Sequence, residues 1–138
     1  MHTGRRNDEP AGKEIMDKTL INAYIVDMAA LLGTFEQIVL LAVMATGDEA
    51  YGRAVLRTVQ ACLEPERNVS AGAVYSTLDR LEAEGLLSSR LEKGTAARGG
   101  RARRFYRLTM PGTSALTEAR TTLDRMWCGA SRATEVMQ

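Results

Sequence analysis

A mainly α-helical domain with one small β-hairpin is the fold class this 138-residue chain predicts, and three observations carry that reading. Apolar residues recur at helical intervals in four stretches, as in Val74, Leu78 and Leu81, spaced by four and three. Two strand-like runs, Leu86 to Glu92 and Arg103 to Thr109, flank a ten-residue loop holding Gly94, Gly99 and Gly100. Between Arg90 and Arg107 stand seven basic residues and one acid, Glu92. That is a local charge of +6 in a chain whose total is +1, so the remainder sums to −5.

The elements follow in order. Residues 1–19 are polar, punctuated by Gly and Pro and without periodicity, the composition of a disordered extension. Residues 20–32 suit an extra helix, with Ile21, Ile25, Met28 and Leu32 on one stripe. A new helix starts at Thr34, which with Gln37 has the spacing of a capping box. Its run from Ile38 to Met44 is apolar all round, which predicts the buried centre of the core, and Gly47 ends it. Asp48 or Glu49 is placed to cap the next helix, whose stripe is Val55, Leu56, Val59 and Leu63. Ser70 is the expected N-cap of a helix over 70–84, and Gly85 its C-cap. After the hairpin, Pro111 suits the first turn of a last helix with the stripe Leu116, Ala119, Leu123 and Met126. The predicted organisation is one domain over 33–110, a C-terminal helix over 111–130 and a tail over 131–138.

Bulk composition narrows the function classes. Hydrophobic residues make up 45% and charged residues 25%, the balance of a globular protein. No run of about 18 apolar residues is present to span a membrane, and no apolar stretch follows Arg5-Arg6 to make an export signal. A cytoplasmic location is expected, with no membrane partner. Cys62 and Cys128 lie far apart without CxxC spacing and read as two separate buried thiols. The single histidine, His2, sits in the expected disordered extension, which argues against His-based catalysis and His metal sites. No enzyme, metal or cofactor is indicated.

The helix over 70–84 and the basic hairpin together point to duplex DNA. Opposite the Val74/Leu78/Leu81 stripe lie Gly72, Ser76, Asp79 and Ala83, flanked by Ala73 and Arg80 on one side and Tyr75 on the other. Small residues at the helix start, Ser70, Gly72 and Ala73, let a backbone approach the major groove closely. Ser76 can hydrogen-bond a base edge, the Ala73 methyl can touch a thymine methyl, and Tyr75 can hydrogen-bond a phosphate. Arg98, Gly99, Gly100, Arg101, Arg103 and Arg104 read as a wing laid on the phosphate backbone or into the minor groove. The expected function is a sequence-specific double-stranded DNA-binding regulator. The alternative is a winged helix used for protein–protein contact, against which the +6 hairpin argues.

Several motifs also carry a family likeness. They are Leu32-Gly33-Thr34-Phe35-Glu36, Ala50-Tyr51-Gly52, the run Ser70 to Glu82, Gly85-Leu86, Arg98-Gly99-Gly100-Arg101 and Tyr106 to Gly112. Together they resemble the PadR family of bacterial transcriptional regulators, over about Met28 to Gly129. The resemblance implies a winged helix-turn-helix, a homodimer held by the C-terminal helix through Leu116, Ala119, Leu123 and Met126, and repression relieved by a small molecule. It also implies a recognition helix over Ser70 to Arg80 and the compact form of the family with a single C-terminal helix. Residues 1–27 then form an extension: either a later start at Met16 or Met28 applies, or they add a dimer-contacting helix. Some compact members bind planar aromatic effectors against a tryptophan of the last helix. Trp127, the only tryptophan, matches that place, and packing in the dimer core is its other reading.

Overall fold

The computed structural model describes residues 31–137. In chain order these form α1 (Thr34–Thr46), a 3-10 turn (Gly47–Glu49), α2 (Gly52–Cys62), α3 (Ala71–Ala83), β1 (Leu87–Glu92), a second 3-10 turn (Ala96–Arg98), β2 (Arg103–Leu108) and α4 (Met110–Met137). The mainly helical fold with one antiparallel hairpin is therefore present. The extension expected over 1–19, and the expected helix over 20–32 as far as residue 30, lie outside the described residues. Leu31 and Leu32, at the end of that expected helix, are non-helical.

One cluster joins the four α-helices and the hairpin. Val39, Leu40 and Val43 of α1, Val55 and Val59 of α2, and Val74, Leu78 and Leu81 of α3 are buried together. Leu87, Tyr106, Leu116 and Ala119 close it from the hairpin and α4. Each fully buried aliphatic side chain contributes about 1.5–3 kcal/mol, so the three-helix stripes dominate the stability of the domain.

α1 differs from expectation in two ways. It is not buried all round: the other elements cover its Val39/Leu40/Val43 side and leave Leu41 and Met44 each 50% exposed. The Thr34–Gln37 capping box does not form. Gly33, in an extended conformation, is the N-cap, and Gln37 Nε2 instead donates to the Leu32 carbonyl at 2.8 Å.

α2 is not capped by Asp48 or Glu49, which belong to the preceding 3-10 turn. Tyr51 is its N-cap, without a side-chain cap bond. The reason is tertiary: Ala50 and Tyr51 are drawn onto the edge of β2. Tyr106 N–H donates to the Ala50 carbonyl at 2.8 Å, and Tyr51 bridges Phe105.

α3 starts on its expected cap, and at its end Glu84 is the C-cap, with the expected Gly85 one residue beyond it. Ser70 Oγ accepts from Ala73 N–H at 3.1 Å. At the other end Leu86 N–H reaches the Leu81 carbonyl and Gly85 N–H the Glu82 carbonyl, both at 2.9 Å, with Gly85 at φ +79°. This paired closure satisfies two otherwise free helix carbonyls and turns the chain into β1.

The hairpin pairs Leu87 with Leu108 through Glu92 with Arg103 in unbroken antiparallel register. α4 then starts on Thr109, whose hydroxyl accepts from Gly112 N–H at 3.1 Å and donates to the Gly85 carbonyl at 2.6 Å. α4 runs 28 residues to Met137, so the segment expected as a tail over 131–138 is helical as far as that residue. No proline follows Pro111, and the sequence beyond 130 is rich in residues that a helix tolerates. Cys62 and Cys128 are both exposed rather than buried: Cys62 is the last residue of α2, and every residue of α4 from Leu123 to Met137 is exposed.

Candidate nucleic-acid interface

α3 buries Val74, Thr77, Leu78 and Leu81, and this rotation leaves Gly72, Ala73, Tyr75 and Ser76 exposed along its first half. Ser76 Oγ donates to the Ala73 carbonyl at 3.2 Å, so its proton is engaged and its lone pairs remain free to accept. The Tyr75 ring lies against Gly52 at the start of α2. A Cβ at residue 52 would come within 2.6 Å of Tyr75 Cε1, so the absence of a side chain there is what lets the ring settle.

Between the start of α2, Tyr75 and the wing loop opens a cleft of about 620 Å³. Arg53, Arg98, Arg101 and Arg103 line it with Tyr51, Tyr75, Ala97, Gly99 and Ala102, and no carboxylate does. Four guanidinium groups around one concave surface create a strongly positive local field.

The expected wing residues divide in role. Arg98 holds its own loop together, donating to Thr95 Oγ1 at 3.2 Å and to the Lys93 carbonyl at 3.1 Å. Gly99 and Gly100 both adopt left-handed conformations, at φ +64° and +77°, and fold the loop back toward β2. Arg103 stacks its guanidinium 4.0 Å above the Tyr51 ring. Arg104 is engaged elsewhere: it donates to Ser89 Oγ at 2.8 Å, and Ser89 donates to Glu82 Oε1 at 2.6 Å. Arg104 thus braces β2 on Ser89 of β1, and Ser89 ties the hairpin to the far end of α3. Arg80 is also committed, in an ion pair with Glu36 of α1 at 3.1 Å. The cleft is built from Arg98, Arg101 and Arg103 of the expected set, without Arg104 or Arg80.

Tyr51 and Arg53, which line the cleft, and Arg57, one turn further along α2, are not among the DNA-contacting residues the sequence pointed to. Arg57 Nη2 donates to the Tyr51 hydroxyl at 2.7 Å. A usable signal existed in the arginines, which stand four apart near the start of the same amphipathic helix. Beneath the wing, burial pushes the Tyr106 phenol pKa up. The carboxylates of Asp79 and Glu82 add to the rise, and Arg104 opposes it.

The second expected site lies on α4. Leu116 and Ala119 are buried in the chain's own core, whereas Leu123, Met126 and Trp127 are bare, with Trp127 71% exposed. The four-residue stripe therefore splits into a core half and an open half. A groove of about 540 Å³ runs beside it, lined by Leu41, Met44, Leu116, Leu123 and Trp127, with Gln37, Arg120 and Asp124 among its polar rim. No helix among the described residues is long and apolar enough to cross a membrane.

The sequence model of the transcriptional regulator PadR-like family matches residues 40–118, more than half of the chain. The chain belongs to the PadR-like family of transcriptional regulators. Transcriptional regulator Rv3488 of Mycobacterium tuberculosis is 52% identical over 58 residues, which are 42% of this chain and 50% of that protein. The matched stretch thus spans half the length of this curated relative. The fold is similar to that of a PadR family transcriptional regulator from Eggerthella lenta, with a TM-score of 0.56 and 23% identity over 88% of this chain and 97% of that one. It is also similar to the Aeropyrum pernix Orc1 protein in complex with DNA, with a TM-score of 0.51 and 20% identity. That match covers 72% of this chain and 28% of Orc1. At these identities the likeness is one of fold, the winged helix. In this PadR-like chain, α2 and α3 are the helix-turn-helix and the β1–β2 hairpin is the wing.

Proposed function

We propose that this PadR-like chain is a homodimeric repressor that reads double-stranded operator DNA with α3 in the major groove. The observation that carries the reading is the carboxylate-free cleft of four arginines beside the open first half of α3. A polyanionic backbone is the partner such a surface fits, and a protein-binding wing has no need of it. Ser70, Gly72 and Ala73 let the helix start approach the groove. Ser76 accepts from a base donor, and Tyr75 donates to a phosphate. Arg98, Arg101 and Arg103 grip the backbone while Arg104 sets the wing's angle and Arg80 steadies α3 through Glu36. Selection of binding sites from a pool of random duplexes tests this. An enriched sequence is expected, and Arg101→Ala weakens binding to enriched and random duplexes alike. Failure to retain any duplex at low salt would sink the reading.

The open half of α4 supports the second part of the proposal. Leu123 and Met126, joined by Leu41 and Met44 of α1, form the dimer contact, since an isolated helix face of this kind gains stability only by packing on a second surface. Trp127 beside the groove of about 540 Å³ offers a stacking plane for a planar aromatic effector that loosens the dimer's hold on DNA. Such a compound quenches the fluorescence of the lone tryptophan and lowers duplex affinity in parallel. A panel of planar compounds that changes neither returns Trp127 to a packing role.

A further inference from the structure

Tyr51 stands where α2, α3 and the wing meet. Its hydroxyl receives Arg57 Nη2 at 2.7 Å, and Arg103 lies 4.0 Å above the centroid of its ring. Phe105 meets the same ring edge-on, with centroids 5.7 Å apart, and the backbone bridge from Tyr51 to Phe105 pins the residue to β2. The phenol therefore has a fixed place, and two guanidinium groups are gathered on it.

Folding alone gives little reason for that gathering. Neither Arg57 nor Arg103 has a carboxylate within ion-pair distance among the described residues. Two like charges held on one phenol repel, and each long side chain gives up rotamer freedom to be there. A cation stacked on the half-buried Tyr51 ring gains a moderate attraction in return. The missing partner is an anion that both cations can meet at once. Arg53, one turn before Arg57 on α2, lines the adjoining cleft.

Resting on the DNA-binding reading above, we infer that Tyr51 is a positioning residue that presents Arg57 and Arg103 together to the DNA backbone, so that α2 supplies a phosphate grip of its own beside the wing. The hydroxyl sets Arg57 and the ring face sets Arg103. Because the two settings use different parts of the side chain, they can be removed separately.

The test titrates the full chain against a labelled mixed-sequence duplex at a series of salt concentrations, with melting temperatures recorded in parallel. Arg57→Ala lowers the log–log salt slope by about 0.9, the loss of one phosphate contact. Tyr51→Phe lowers it by the same amount, because it keeps the ring under Arg103 and releases Arg57. Adding Tyr51→Phe to Arg57→Ala changes nothing further, the non-additivity expected of residues that act as one unit. Tyr51→Leu, which removes both settings, lowers the slope by about twice as much. The inference is overturned if Arg57→Ala keeps the full slope or if the two substitutions add. It is also overturned if Tyr51→Phe lowers the melting temperature and leaves the slope intact. Arg101→Ala is the control. A slope that falls for Arg101→Ala and holds for Arg57→Ala removes only this inference, whereas a wild-type chain with no salt-dependent binding removes the DNA reading with it.

Discussion

Arg103 and Arg104 are neighbours in sequence, and β2 turns them to opposite faces of the hairpin. Arg103 stacks on Tyr51 beside the cleft, and Arg104 reaches Ser89 at 2.8 Å on the side that faces Glu82 of α3. Alternation along a strand imposes this, since successive side chains leave the pleat in opposite directions. The two arginines therefore differ in what they do.

The first prediction separates them. Arg103→Ala lowers the salt slope of duplex binding by about 0.9, as the loss of a phosphate contact does. Arg104→Ala leaves that slope unchanged and destabilises the domain by about 0.5–1 kcal/mol, the range of an exposed charge-assisted network. Ser89→Ala reproduces the effect of Arg104→Ala in thermal melts. Equal slope losses for the two arginines would show that the pleat does not divide their roles.

A second prediction concerns Gly52, whose missing side chain accommodates the Tyr75 ring. Gly52→Ala pushes that ring outward, and the 42% exposed tyrosine has room to move. Stability changes by less than about 1 kcal/mol, because alanine also favours the helix start. Duplex affinity falls about fivefold, the equivalent of one hydrogen bond. Chemical denaturation and an anisotropy titration on the same preparation check both halves.

The split stripe of α4 yields a third. Leu123→Glu moves sedimentation toward monomer while the domain stays folded, because Leu123 is 49% exposed. Leu116→Ala acts on the fold instead and costs about 2–5 kcal/mol, as for other core leucines. A Leu123→Glu variant that remains dimeric places the interface elsewhere.

The Tyr106 phenol gives the fourth. Burial first, then Asp79 and Glu82, raises its pKa above the ordinary 10.0, against the pull of Arg104. The folded chain thus holds this proton more tightly than the unfolded chain does. The stability that depends on it is fully present below pH 10.0 and declines as the pH rises through that value toward the folded pKa. Denaturation at about pH 8 and about pH 11 shows the decline, and Tyr106→Phe removes its contribution.

Local signals in the chain were sufficient for much of the architecture. The Val74/Leu78/Leu81 stripe, the Ser70 cap, the Gly85 turn and the two strand runs each act within a few residues, through periodicity, capping and turn chemistry. The Thr34–Gln37 pair also had the spacing of a local motif and still failed, because the entering chain made Gly33 the cap and sent Gln37 to Leu32. Asp48 and Glu49 were well placed to cap α2, yet the pull of β2 on Ala50 moved that role to Tyr51.

By itself the sequence determined that this would be a helical domain with a basic hairpin beside a small-residue helix, because spacing and charge are properties of neighbours along the chain. Only the tertiary structure decided which cations remain open. Arg80 met Glu36, forty-four positions away, Arg104 met Ser89, and Arg57 and Arg103 converged on Tyr51. It also decided that Leu116 enters the core and Leu123 does not. These outcomes depend on which distant surfaces arrive at each side chain, and that is set by how α1, α2, α3 and the hairpin pack, not by the residues on either side.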